Sequence, residues 1–129
     1  MRHVRAAAVM LVCLALPASA AANNQTVTAG STNQFTPAAV TVFQGEKVTW
    51  NNVAGIHNVH FDDNSYVQPP SAQAAPWTVS RNFTSPGTFA YYCQVHGGPG
   101  GVGMSGTVTR PMPPVSTASG RGERHDRRE

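Results

Sequence analysis

Residues 77–109 read WTVSRNFTSPGTFAYYCQVHGGPGGVGMSGTVT, and this stretch decides the fold. Trp77 to Phe83 and Thr88 to Cys93 carry strand signals. Between them Thr84-Ser85-Pro86-Gly87 is a turn signal. Thr107-Val108-Thr109 closes the domain as a final strand. Apolar residues at helical spacing are missing throughout.

Working outward, Val40-Thr41-Val42 and Val48-Thr49-Trp50 alternate in period two around Gln44-Gly45-Glu46-Lys47, which predicts a hairpin. His57 to Phe61 alternates again, whereas Asp62 to Pro76 reads as a long polar loop with room for one helical turn. Seven to eight short strands at regular spacing in under 90 residues predict an all-β, Greek-key β-sandwich over residues 23–109. Composition agrees. Only 12% of the 129 residues are charged, and the chain carries 12 Gly and 10 Pro, unlike a helical bundle with its Glu-, Lys- and Arg-rich faces. That length holds one domain and excludes a large enzyme with a separate substrate domain.

Both ends change the charge count. At the N-terminus, Arg2 and Arg5 precede an apolar run from Ala6 to Leu16, then Pro17 and the small triplet Ala18-Ser19-Ala20. This is the pattern of a secretory signal peptide over residues 1–20, with a second cleavage spacing after Ala22. The apolar run is too short to anchor the chain in a bilayer core, which takes about 20 residues. Val12 is too bulky to precede a lipidated Cys13. Residues 110–129 hold three prolines, no aromatic residue and five arginines, and they read as a disordered tail. Removing residues 1–20 leaves seven basic against six acidic residues, a net charge of +1. The formal +3 of the whole chain therefore does not argue for a nucleic-acid partner. Cys93 is then the single cysteine of an exported chain: buried and inert, paired between chains, or holding a metal.

The chemistry lies in Tyr91 to Met104. Cys93 offers a thiolate, His96 an imidazole and Met104 a thioether on one loop between two strands, and His57 offers a second imidazole upstream. Two histidines, a cysteine and a methionine are the donors of a mononuclear blue-copper site, trigonal His₂Cys with a long, weak axial sulfur. Soft sulfur suits Cu(I) and imidazole suits both oxidation states, so little need move when an electron arrives. Zinc is the rival metal, but structural zinc uses four Cys/His donors, and here there are three and a thioether. Five glycines between His96 and Met104 let the loop fold tightly enough to bring both round one ion. His60, three residues past His57 on a strand, points to the opposite face. His125 lies in the tail and is not expected to act.

On these residues the chain resembles the cupredoxins, in particular the small plastocyanin- and amicyanin-like blue copper proteins. The match runs from Phe35 to Val108 through Phe35-Thr36-Pro37, Val48-Thr49-Trp50-Asn51, His57-Asn58-Val59, Phe61-Asp62, Pro86-Gly87-Thr88-Phe89, Tyr92-Cys93, His96 and Gly103-Met104-Ser105-Gly106-Thr107-Val108. The resemblance implies that His57, Cys93, His96 and Met104 ligate one type 1 copper, and that Asn58 ties the two ligand segments together. Seven residues separate His96 from Met104, more than the spacer expected in plastocyanin or amicyanin. It also implies a soluble, monomeric one-electron carrier rather than an enzyme, periplasmic or extracellular. Its partners would be a c-type cytochrome, an oxidase or reductase, or a dehydrogenase, docking near His96 on an uncharged patch of Gly97, Gly98, Pro99 and Val102. His96 is expected on a loop at the protein edge, with Phe35, Phe89 and Tyr92 as apolar surroundings of the site. Copper sequestration or delivery uses the same ligands and stays open, although chaperone-like Met- or His-rich stretches are missing. Nitrite reductases and copper oxidases need further His-x-His or His-Cys-His clusters, which this sequence lacks.

Overall fold

Alternating burial in most of the strands builds two sheets around one shared core. The computed structural model describes residues 23–115. The expected signal peptide, Cys13, His125 and the tail beyond residue 115 lie outside the described residues. Nine strands follow one another: β1 Gln25–Ala29, β2 Phe35–Thr36, β3 Ala39–Thr41, β4 Lys47–Asn52, β5 Ile56–Phe61, β6 Val67–Ala74, β7 Trp77–Asn82, β8 Gly87–Gly98 and β9 Val102–Arg110. One sheet has the order β2-β1-β4-β7 and the other β3-β9-β8-β5-β6, and no helix occurs among the described residues. The fold is the expected all-β sandwich, with one or two additional strands.

Inward positions explain the packing. β4 buries Val48, Trp50 and Asn52 while Lys47 stays exposed. β8 turns Tyr91 and Cys93 inward, and β9 turns Met104, Gly106 and Val108 inward. Trp50 sits at the centre, with Tyr91 at 5.3 Å and Phe61 at 5.9 Å, both edge-on. Such pairs add about 0.5–1.5 kcal/mol each to their area burial. Tyr91 also meets Phe35 edge-on at 4.9 Å, and burial pushes its phenol up to about 12, so it remains a neutral core ring. At the far end Arg81 lies over the Phe61 ring at 4.3 Å and near Phe83 at 5.0 Å, a cation–π contact that closes the core.

Two expectations are corrected. Residues 40–42 and 48–50 do not form a hairpin: β3 pairs in parallel with β9, and β4 pairs with β1 and β7 in the other sheet. The Gln44–Lys47 turn crosses between sheets, because both segments must present their valines and Trp50 to the same interior. Alternation marks a buried face without saying which sheet carries it. Likewise residues 62–76 are not a loop with a helical turn, since Val67–Ala74 forms β6 at the edge of the larger sheet, beside β5. An edge strand leaves one row of backbone groups outside the ladder, so it tolerates Pro69 and Pro70 where a central strand would not.

The crossing turn has its own clamp. Glu46 is buried, and its two carboxylate oxygens accept the N–H of Asn23 and of Phe43, each at 2.8 Å. One side chain thus fastens the start of β1 to the β3–β4 crossing. Glu46→Ala leaves both donors without this acceptor, and urea unfolding should show a loss of about 2 kcal/mol. Lys47→Ala, on the exposed neighbour, should stay within about 0.5 kcal/mol of the parent.

Candidate metal centre

Three strands converge at one end of the sandwich. His57 and Cys93 are fully buried on β5 and β8, and His96 is half-buried three residues after the cysteine. Their donor atoms face one another. The two Nδ1 atoms are 3.2 Å apart, and Cys93 Sγ lies 3.7 Å from His57 Nδ1 and 3.6 Å from His96 Nδ1. An ion about 2.0 Å from each nitrogen and about 2.3 Å from sulfur spans these separations with angles of roughly 105–120°. That is close to the trigonal His₂Cys arrangement. The donor set fits a single metal ion without rearrangement.

The lone pair of His57 is aimed by the partner on the far side of its ring. His57 Nε2 lies 3.1 Å from the Gly30 carbonyl, which can only accept, so Nε2 carries the proton and Nδ1 presents its lone pair to the site. Burial is the main force lowering the His57 pKa, and the neighbouring His96 acts in the same direction, so the neutral ring is favoured. Asn58 joins the two ligand segments: its Oδ1 accepts the Gln94 N–H at 3.0 Å, and its Nδ2 donates to the Gln94 side chain at 2.5 Å. A further bond from Nδ2 reaches the Pro69 carbonyl on β6 at 3.4 Å.

Met104 is buried on the inner face of β9, in the same apolar cluster as Cys93. His96 does not sit on a loop outside the sheet but in a bulge of β8, between the Tyr92–Ser105 and Gly97–Gly103 pairs. β8 continues to Gly98 and β9 begins at Val102, so the ligand segment is a hairpin arm. Glycine is needed at two points of it. A Cβ on Gly97 would lie 2.6 Å from the Met104 carbonyl oxygen, and Gly103 combines φ 61° with an even closer approach to the His96 carbonyl. Alternating patterns cannot reveal an arm without apolar side chains to alternate, which is why the sequence reads there as a loop.

His60 lies outside the cluster of His57, Cys93 and His96. It stacks on Tyr92 at 4.9 Å, with Nε2 2.7 Å from Asn64 Oδ1. Of the three aromatic residues expected around the site, Phe35 borders a solvent-open cleft that Met104 also lines, and Tyr92 faces His60. Phe89 packs on Phe83 at 5.1 Å, beside Arg81. The Gly30 carbonyl and Gln94 went unnoticed in the sequence, the first because a backbone acceptor leaves no residue-type signal.

The family model for copper binding proteins of the plastocyanin/azurin family matches residues 21–110. The chain belongs to this family. Plastocyanin of Scenedesmus fuscus is 39% identical to it over 85 residues, spanning 58% of this chain and 84% of that protein. A reduced-state mutant of amicyanin superposes with a TM-score of 0.54 at 27% identity, over 67% of this chain and 81% of the other. An oxidised amicyanin mutant gives 0.55 at 27% identity, over 67% and 80%. The cofactor of this cupredoxin is copper, and the His57, Cys93 and His96 cluster fits a type 1 site.

The lowered His57 pKa has a thermodynamic consequence for the metal-free protein. An unfolded chain protonates this histidine near its ordinary value of 6.5, whereas the folded chain does so only at lower pH. Between those two values the unfolded state binds more protons, so stability is fully present above about pH 6.5 and falls as the pH drops below it. Denaturant titrations of metal-free protein at pH 7.5 and 5.5 should show this loss, and His57→Gln should reduce it.

Proposed function

We propose that this protein carries single electrons between redox partners, with His57 Nδ1, Cys93 Sγ and His96 Nδ1 as the close ligands of one copper and Met104 as the axial ligand. Copper supplies the one-electron Cu(II)/Cu(I) couple. The observation that carries the reading is the preassembled donor set, three atoms within 3.2–3.7 Å of one another at the end of a packed sandwich. Gly30 and Asn58 hold His57 and the Cys93 segment where either oxidation state can use them. A site held in one geometry has little to reorganise on electron transfer, and it suits a carrier better than a protein that must let its metal go. Similarity to plastocyanin and to amicyanin in reduced and oxidised forms supports the same role. No catalytic function is assigned.

The electron would pass through His96, the least buried of the three. Around the ligand segments Ile56, Val95 and Val102 are each more than half exposed, and none is charged. An apolar rim, with the Asp62 carboxylate set against the arm tip at Gly100, permits small, short-lived encounters of the kind electron carriers use. A c-type cytochrome, an oxidase or reductase, or a dehydrogenase fits that surface, and the N-terminal leader pattern puts the meeting in the periplasm or outside the cell. The carrier acts as a monomer. No helix among the described residues is long and apolar enough to cross a membrane.

Adding Cu(II) to the mature chain should produce an intense thiolate-to-copper absorption band and the matching EPR signal, both absent in Cys93→Ala. A colourless protein that prefers zinc would sink the assignment. Met104→Leu should keep the colour and raise the reduction potential, whereas His60→Val should leave spectrum and potential unchanged. Loss of copper on reduction would point to delivery instead.

A further inference from the structure

The β8–β9 arm is irregular where the ligands lie. Tyr92 pairs with Ser105 and Gly97 with Gly103, so residues 93–96 stand opposite Met104 alone. Cys93 and His96 therefore occupy a bulge that the ladder does not hold directly. Beyond it the ladder has two pairs, Gly97 with Gly103 and Gly98 with Val102, and then the tip Pro99–Gly101. A short ladder made mostly of glycine is a poor anchor, because glycine loses the most backbone freedom on ordering and brings no side chain to pack.

The tip has a second anchor 38 residues away in the chain. The Gly100 N–H donates to Asp62 Oδ2 at 2.8 Å. Asp62 is itself well placed: it follows the buried Phe61 at the end of β5, and its own N–H donates to the Ala90 carbonyl on β8 at 3.0 Å. A hydrogen bond to an ionised carboxylate is roughly twice as strong as a neutral one. The carboxylate thus ties the free end of the arm to the body of the larger sheet, while His57 and Cys93 are steadied separately through Gly30 and Asn58.

We propose that Asp62 is a positioning residue for the metal centre: its carboxylate pins the tip of the glycine arm and so keeps His96 in place. The inference rests on His96 being a ligand, as proposed above. Asp62 touches no ligand itself and acts through Gly100 and the arm. Seven residues separate His96 from Met104, five of them glycine, and so flexible an arm has many ways to move without such a pin.

Asp62→Ala and Asp62→Asn in the mature chain test this. In metal-free protein, amide exchange read by NMR should become roughly tenfold faster at Gly100 and its arm neighbours in Asp62→Ala, the loss of one charge-assisted hydrogen bond. It should be unchanged at Gln94 and largely restored in Asp62→Asn, whose Oδ1 still accepts. With copper bound, Asp62→Ala should shift the EPR hyperfine splitting and the reduction potential, and Asp62→Asn should return both towards the parent. Should Asp62→Ala fail to fold, Asp62→Ser takes its place, being too short to reach Gly100. Unchanged exchange in the arm, uniformly faster exchange in every strand, or a loosened arm with unaltered copper spectrum and potential would each overturn the proposal. A parent protein without the thiolate-to-copper band would instead overturn the ligand assignment, while the exchange comparison still decides whether Asp62 holds the arm.

Discussion

Everything at the metal end depends on holding a buried sulfur and two imidazole nitrogens 3.2–3.7 Å apart without a covalent link between their strands. Three groups with lone pairs aimed at one point repel each other unless an ion or a shared proton lies between them. The fold must therefore supply the force that keeps them together. It does so through groups that touch no metal. The Gly30 carbonyl settles which nitrogen of His57 keeps its proton, and Asn58 bonds to both the backbone and the side chain of Gln94. Polar groups that are buried and fully paired specify one geometry, which is what a copper site serving two oxidation states requires.

The rest of the sandwich can be read as support for that end. Trp50, Tyr91, Phe61 and Phe35 pack the two sheets together in the same core as Cys93, and Tyr91 anchors the strand that carries the thiolate two residues before it. At the opposite end Glu46 fastens the β3–β4 crossing, and Arg81 lies over Phe61 and Phe83. The ligand arm is a different kind of structure. It has almost no apolar packing of its own, and close backbone contact at Gly97 and Gly103 takes the place of side chains.

Several features were legible in the sequence because a residue type is tied to a physical need. Cys93, His96 and Met104 lie close together in the chain, and soft sulfur with imidazole points to copper wherever the strands run. Period-two alternation around Val48 and Trp50 located strands correctly. The same alternation failed to pair them. The supposed 40–50 hairpin is a crossing between sheets, and the supposed 62–76 loop contains the edge strand β6. Pairing is set by which faces meet in the core, and a local pattern holds no record of that. The ligand arm was missed as strand for the opposite reason: glycine pairs through its backbone and leaves no pattern at all.

By itself the sequence determined the all-β class and offered His57, Cys93, His96 and Met104 as candidate donors, since donor chemistry and burial period are properties of single residues and near neighbours. It also placed Asn58 next to His57, with an amide able both to donate and to accept. Only the tertiary structure decided that the Gly30 carbonyl faces His57, that Gln94 answers Asn58, and that Asp62 meets Gly100. Each of these contacts joins residues 27 to 38 positions apart, and two of them use backbone groups that every residue type shares. Composition and spacing are blind to such groups until the chain has folded and given them neighbours.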